Sequence, residues 1–216
     1  MHDFLSVLRK ERFIAIARGI AACDIAKVTE ALYEGGVRFF EITFNPSRPE
    51  TAEETALSIR EAIKAAGAGM AIGAGTVICR EYLEAAFQAG AGYIISPDTD
   101  EEIIKRTKEL GLYSIPGAYT PTEIKAAYKA GADVVKLFPI TVNEIPYLKN
   151  ISAPLPHIPF LTTGGVNPDT AAAFIEAGAV AVAAGASVVK PDLVRSGDFA
   201  EITRLAALHV KAVSGR

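Results

Sequence analysis

Lys136 stands in the run Gly131-Ala-Asp-Val-Val-Lys136-Leu-Phe-Pro139. Side chains alternate along a strand, so Val134, Lys136 and Phe138 share one face. That places an ammonium among apolar neighbours in a run that otherwise reads as a buried strand. Desolvation lowers a lysine's pKa from about 10.4, and a lysine that is neutral part of the time attacks carbonyl carbon. The bland alternative is a strand-end lysine whose head reaches solvent. Two more ionic residues hold comparable positions: Arg18 shares parity with Ile14 and Ile16, and Glu41 with Phe39 and Thr43. Glu41 could simply neutralise one of the cations. In a partly dry cavity, however, a carboxylate has a raised pKa and moves protons near neutral pH. Lysine, carboxylate and arginine together suit Schiff-base chemistry on a 2-oxo acid: the lysine condenses with the ketone, the glutamate shuttles protons and the arginine holds the substrate carboxylate.

The elements that must position these groups read as alternating strands and helices. After a helix at about 3–11, strands are predicted at 13–18, 37–43, 70–76, 92–96, 112–115, around Lys136, at 160–163 and at 180–184. Helices fill the intervals: one capped by Asp24 and running to Tyr33, one opened by Pro46 and Pro49 and running to about Ala66, others at about 80–89 and 100–110, one from Thr120, one short helix within 143–159, one starting at Pro168, and a last at about 198–213. Pro116-Gly117 reads as a turn. Thr120-Pro-Thr-Glu123 reads as an N-cap, a proline at N1 and a glutamate at N3, which is a capping box. Glu34-Gly-Gly-Val, Gln88-Ala-Gly-Ala, Lys129-Ala-Gly-Ala and Glu176-Ala-Gly-Ala each close a helix before an apolar strand, the glycine supplying the left-handed residue that ends it. Eight strands alternating with eight helices imply an α/β fold, a single (β/α)8 TIM barrel with a short N-terminal helix, spanning 1–216 as one domain. An open dinucleotide-binding sheet would call for a glycine-rich turn after the first strand, and Arg18-Gly19-Ile20-Ala21 is not one.

In a closed parallel barrel the reactive groups sit at the C-terminal strand ends. Those ends carry Arg18, Glu41 with Thr43, Gly75-Thr76, Ser96-Pro97, Pro116-Gly117, Lys136 with Phe138, Thr163-Gly164-Gly165, and Gly185 with Ser187. The last two clusters are glycine turns after the final two strands, a place where barrels bind phosphate through backbone N–H groups. A phosphorylated substrate is therefore expected.

Composition narrows the class. The 216 residues carry 22 Lys and Arg against 25 Asp and Glu, a net charge of −3, with half the residues hydrophobic. This balance gives no support for nucleic-acid or acidic-membrane binding. Cys23 and Cys79 lie far apart without metal-ligand spacing, so reduced cytoplasmic thiols are expected and no metal. The N-terminus has charged residues inside a short apolar pattern, unlike a signal peptide, and no apolar run approaches a membrane span. His2, His157 and His209 have no partner at useful spacing and read as surface residues.

In combination, Ala15-Ile-Ala-Arg18, Phe40-Glu-Ile-Thr43, Ile72-Gly-Ala-Gly-Thr-Val77, Ile95-Ser-Pro97, Pro116-Gly117, Thr120-Pro-Thr-Glu123, Val135-Lys-Leu-Phe-Pro139 and Thr163-Gly-Gly165 resemble the class I 2-keto-3-deoxy-6-phosphogluconate / 4-hydroxy-2-oxoglutarate aldolases over about residues 4–213. The resemblance implies a homotrimer of (β/α)8 barrels that needs no cofactor. It implies reversible cleavage of a 4-hydroxy-2-oxo acid into pyruvate and an aldehyde. Lys136 looks like the Schiff-base lysine and Glu41 like the general acid/base. Arg18, Thr76, Pro97, Phe138 and Thr163 would line the pyruvate end, and Gly164, Gly165 and the turn from Gly185 to Ser187 would hold the phosphate. The chain departs from the family pattern at Asn45, where gluconate-type members carry arginine and galactonate-type relatives asparagine; Arg48 is the cation three positions on. It departs again at Ala183, where the family has glycine, with the serine displaced to Ser187. The competing readings are another phosphate-binding barrel enzyme, such as a sugar-phosphate epimerase, and a non-catalytic phosphosugar-binding barrel; neither depends on the lysine.

Overall fold

The apolar runs become strands of a single parallel sheet in the computed structural model, which describes residues 4–214. Nine strands take part: β1 (Phe13–Ala17), β2 (Phe39–Thr43), β3 (Ala71–Gly75), β4 (Tyr93–Ile95), β5 (Tyr113–Ile115), β6 (Gly117–Ala118), β7 (Val135–Leu137), β8 (Phe160–Thr163) and β9 (Ala181–Ala184). Their hydrogen-bonded order is β5-β4-β3-β2-β1-β9-β8-β7-β6. The two ends of this ladder are consecutive in the chain, separated only by Pro116, so the sheet curls into a nearly closed barrel. The expected fifth strand is thus two. β5 pairs with β4 and β6 with β7, and Gly117, read as part of a turn, is a strand residue in register with Lys136. Proline has no N–H to give a ladder, but its carbonyl still accepts from Lys136 N at 2.8 Å.

The helices are α1 (Phe4–Glu11), α2 (Ala22–Glu34), α3 (Ala52–Ala66), α4 (Arg80–Ala89), α5 (Glu101–Glu109), α6 (Pro121–Ala130), α7 (Ile145–Ser152), α8 (Ala171–Glu176), α9 (Pro191–Ser196) and α10 (Phe199–Val213). The capping box forms as expected: Glu123 accepts from Thr120 N at 2.8 Å, and Thr120 Oγ1 accepts from Glu123 N. Gly36, Gly90, Gly131 and Gly178, from the four repeated helix closures, all have positive φ. Other boundaries moved. Ala21 occupies the N-cap of α2 and Asp24 lies in its first turn, where a carboxylate favours the positive end of the helix dipole without capping. α8 begins at Ala171 rather than Pro168, because Asn167 Oδ1 accepts from the N–H groups of Asp169 and Thr170 and holds a turn there. α9 was not expected at all, although Pro191 at N1 and left-handed Gly197 at its end are the usual punctuation of a helix. Residue 3 of the first predicted helix, and His2, lie outside the described residues.

Strand parity divides the buried residues into two layers. Ala15, Phe40, Ile42, Val135 and Val182 face the helices, whereas Ile14, Ile16, Phe39, Tyr93, Ile95, Ile115, Val134, Leu161 and Ala183 fill the barrel interior. Glu41 and Lys136 have the interior parity. α1 closes the interior at its N-terminal end. Phe4 stacks on Tyr113 with centroids 4.1 Å apart and meets Phe39 edge-on at 5.5 Å, and Leu8 is fully buried, each side chain contributing roughly 1.5–3 kcal/mol of burial.

Among the described residues, three buried side-chain oxygens lack a hydrogen-bond partner, those of Tyr93, Thr162 and Thr163. The Tyr93 ring lies where a Cβ on Gly73 would be, and its buried hydroxyl makes no hydrogen bond. An unsatisfied buried donor costs about 1–3 kcal/mol. Tyr93→Phe is therefore expected to raise the unfolding free energy by about 1 kcal/mol, seen as a higher urea midpoint at unchanged m-value.

Candidate active site

Glu41, in the middle of β2, is opposite Ile16 on one side and Gly73 on the other. It is 2% exposed. Its carboxylate lies over Gly75, where any Cβ would overlap it, so the small residues of β3 make the space the acid occupies. Burial pushes its pKa up; the charges of Lys136 and Arg18 act against that rise without reversing it. Lys136, in the middle of β7, is 8% exposed. Desolvation pulls its pKa down, opposed by Glu41 and assisted by Arg18. The Lys136 ammonium sits 4.5 Å from the centroid of Phe138, the next residue on its own face.

Arg18 follows β1 at the mouth of the barrel and is exposed. Its charge reaches both interior groups. It also lines a cavity of about 570 Å³ together with Thr163, Gly164, Gly165, Gly185 and Ser187. Arg18 thus connects two zones, the acid–lysine pair inside the barrel and the glycine turns at its rim. Gly164 has φ +136° and abuts the Ile140 carbonyl so closely that no side chain fits; Gly165 also has positive φ. Among the described residues, the backbone N–H groups of Gly164, Gly165, Ala186 and Ser187 donate to no protein acceptor. Thr163 Oγ1 is likewise without a hydrogen-bond partner.

The remaining residues singled out in the sequence do not line the rim cavity. Thr76, directly after β3, holds φ 57°, a left-handed conformation that costs a β-branched residue about 1–3 kcal/mol and clusters at functional sites. Pro97 follows β4, and its carbonyl lies against Gly117, the register partner of Lys136. Asn45 and Arg48 lie on the loop after β2 beside Thr43, along a separate groove. Arg48 is exposed and pairs with Glu50 at 3.2 Å.

This geometry has counterparts among known proteins. The family model described as KDPG and KHG aldolase matches residues 5–205. The chain belongs to that family. It is 34% identical over 201 residues to the 2-dehydro-3-deoxy-6-phosphogalactonate aldolase of Escherichia coli (strain K12), covering 92% of this chain and 93% of that one. It is 29% identical to the 2-dehydro-3-deoxy-phosphogluconate aldolase of Treponema pallidum (strain Nichols), over 95% of each chain. Among solved structures, one described as native KDPGal superposes with a TM-score of 0.82 at 31% identity, covering 93% of both chains. The KDPG aldolase of Legionella pneumophila, with pyruvate captured as a covalent carbinolamine, superposes with a TM-score of 0.80 at 25% identity, covering 94% of this chain and 96% of that one.

Within this family member the structure corrects one reading and adds residues the sequence did not single out. His209 is not at the surface: it is fully buried on α10, stacked on Phe13 at 5.1 Å, with Nε2 2.9 Å from Ser187 Oγ. Ser187 donates to the Val166 carbonyl, also at 2.9 Å, so its hydroxyl is engaged inside the protein. Gly75 was read with Thr76 at a strand end and Gly73 only as a strand residue; an interior glycine in a strand is itself a signal of close approach. Among the described residues no group of three or more His, Cys, Asp or Glu is placed to hold a metal ion, and no helix is long and apolar enough to cross a membrane.

Proposed function

We propose that this protein is a Schiff-base aldolase that reversibly cleaves a 2-keto-3-deoxy-6-phospho sugar acid, of gluconate or galactonate type, into pyruvate and glyceraldehyde 3-phosphate, with 4-hydroxy-2-oxoglutarate (yielding glyoxylate) as a further substrate of the same chemistry. The observation that carries the reading is the pair of desolvated groups facing one another's field inside the barrel, a lysine held below its usual pKa and a glutamate held above. Neutral Lys136 attacks the C2 ketone. Glu41, directly or through a water, supplies and removes protons as the carbinolamine loses water. The protonated imine then withdraws electrons, the C4 hydroxyl proton passes to Glu41, and the C3–C4 bond breaks. Reprotonation of the enamine at C3 and hydrolysis release pyruvate and restore the lysine.

Arg18 and Thr163 would bind the pyruvate carboxylate, with Thr76, Pro97 and Phe138 shaping that end. The free N–H groups of Gly164, Gly165, Ala186 and Ser187 suit a phosphate, which hydrogen-bonds well to several converging amides. Names of the relatives favour both sugar-acid configurations, and Asn45 in place of arginine favours the galactonate type, as does the name of the Escherichia coli relative. A homotrimer, a one-domain chain and a cytoplasmic location belong to the same reading and rest on family resemblance and on two unpaired cysteines. The test is reduction with borohydride in the presence of pyruvate, followed by peptide mass spectrometry. A reduced adduct on the Lys136 peptide is the expected result; a folded protein that forms none in excess pyruvate sinks the reading.

A further inference from the structure

His209 has no place in the chemistry above, yet it is fully buried and hydrogen-bonded on both ring nitrogens. Nδ1 lies 2.8 Å from the Leu205 carbonyl, one turn earlier on α10. A carbonyl only accepts, so Nδ1 carries a proton. Burial pulls the ring's pKa down, with the Leu205 bond acting in the opposite direction, which favours the neutral ring with Nε2 as an acceptor. Facing Nε2 is Ser187 Oγ at 2.9 Å, and on the other side of that hydroxyl is the Val166 carbonyl at 2.9 Å. The hydroxyl has one proton and two acceptors, both inside the protein. Whichever acceptor holds it, the Ser187 hydroxyl points away from the rim cavity, and what Ser187 offers a ligand is its backbone N–H.

Val166 follows Gly164-Gly165 after β8, and Ser187 follows Gly185 after β9; all of them line the same cavity. The Ser187 hydroxyl thus stands between the two glycine turns and the long helix α10, its one proton going either to Val166 after β8 or to His209, each 2.9 Å away. Phe13 of β1, stacked on the imidazole at an interplanar angle of 29°, fixes the plane of the ring. We propose that His209 is a positioning residue for phosphate recognition: through Ser187 it holds the turns after β8 and β9 in the register at which their N–H groups converge on the phosphate. The inference rests on the phosphate-binding reading of this cavity.

Two replacements dissect it. Asparagine in place of His209 keeps an amide near the Nδ1 position, for Leu205, and has nothing to reach Ser187. Glutamine places its amide near the Nε2 position, where its carbonyl oxygen accepts from the Ser187 hydroxyl as Nε2 does. For His209→Asn we expect the KM of the phosphorylated sugar acid to rise about tenfold, the scale of one lost hydrogen bond. Its kcat, and the exchange of pyruvate methyl protons with solvent deuterium, should stay close to wild type. His209→Gln should recover KM to within about twofold. Ser187→Ala, which removes the same contact from the other side and leaves α10 untouched, should reproduce the rise in KM even if the His209→Asn variant folds poorly. Equal KM in wild type for the phosphorylated and unphosphorylated sugar acids would overturn the phosphate reading. A wild type that prefers the phosphorylated acid, with a Ser187→Ala or folded His209→Asn variant that keeps its KM, would overturn the positioning role alone. A His209→Asn variant that slows pyruvate proton exchange as much as it raises KM would reduce His209 to general support of the fold.

Discussion

Lys136→Arg is expected to lower kcat/KM by about 10⁴-fold or more, the scale seen when an activated nucleophile is removed, and to abolish the borohydride adduct with pyruvate. Arginine keeps the positive charge and much of the length but stays protonated at any working pH, so it tests nucleophilicity and not charge. An ordinary lysine is neutral to only about one part in a thousand at pH 7.5, and each unit of pKa lowering raises that fraction tenfold. Burial lowers the Lys136 pKa, so the limb of the trapping-rate profile governed by this residue should rise with pH and reach its plateau below the usual lysine range. The stability sign follows from the same shift. Between the lowered pKa and 10.5 the unfolded chain binds more protons than the folded one, so stability increases with pH across that window. Lys136→Met should lose this increase while remaining folded, because it removes a desolvated charge and fills the same space. Retained turnover in a folded Lys136→Arg variant, measured by coupled detection of pyruvate, would instead favour an epimerase-like or binding barrel.

Glu41→Gln is expected to reduce kcat by about 10²–10⁴-fold, the usual contribution of a positioned general acid–base group, and to slow adduct formation with pyruvate without abolishing it. Glu41 raises the Lys136 pKa, so its removal lowers that pKa further and makes the lysine more often neutral. Trapping should be slowed yet still reach completion on long incubation, whereas Lys136→Arg gives no adduct at all, which separates the acid's role from the nucleophile's. The pH dependence runs opposite to that of the lysine. The folded pKa of Glu41 lies above 4.5, so the folded state binds more protons from there up to the raised value, and stability falls as pH rises through that window. The Glu41→Gln variant is spared this fall. Its stability relative to wild type should therefore improve with pH above the ordinary carboxylate range, as urea titrations at several pH values would register. A constant difference across that range would mean Glu41 is not desolvated as described.

The pairing behind both results was legible because it depends on the shortest period in protein structure. Alternation of two put Glu41 with Phe39 and Lys136 with Val134, and the layers of the folded barrel keep that assignment. Repeated glycines at helix ends were legible for a similar reason, since a left-handed residue is a local demand. What could not be read depended on contacts between distant segments. His209 meets Ser187 across 22 positions, and nothing in either neighbourhood signals the other. Pro116-Gly117 looks like a turn because proline and glycine make turns; here the chain changes sheet neighbour at Pro116 and continues as a strand. The Asp24 assignment failed on a finer point: the helix begins three residues earlier at an alanine with no capping side chain, so composition could not mark the start. The acid and the lysine were thus visible as a pair, but the fit of Glu41 over Gly75, and of Tyr93 over Gly73, waited for the neighbouring strands.

α1 gives the barrel a floor, and a floor sets the order of traffic. Among the described residues, Phe4 and Leu8 fill the N-terminal end, so the chamber holding Lys136 is closed there and faces the end of the barrel where the strands finish. The fragment covalently tethered at depth cannot leave while its partner stands between it and the exit. Cleavage is therefore expected to release the aldehyde first and pyruvate last, and synthesis to load pyruvate before the aldehyde. An aldehyde that enters an untethered chamber blocks its own co-substrate, so at high concentration it acts as an inhibitor competitive with pyruvate.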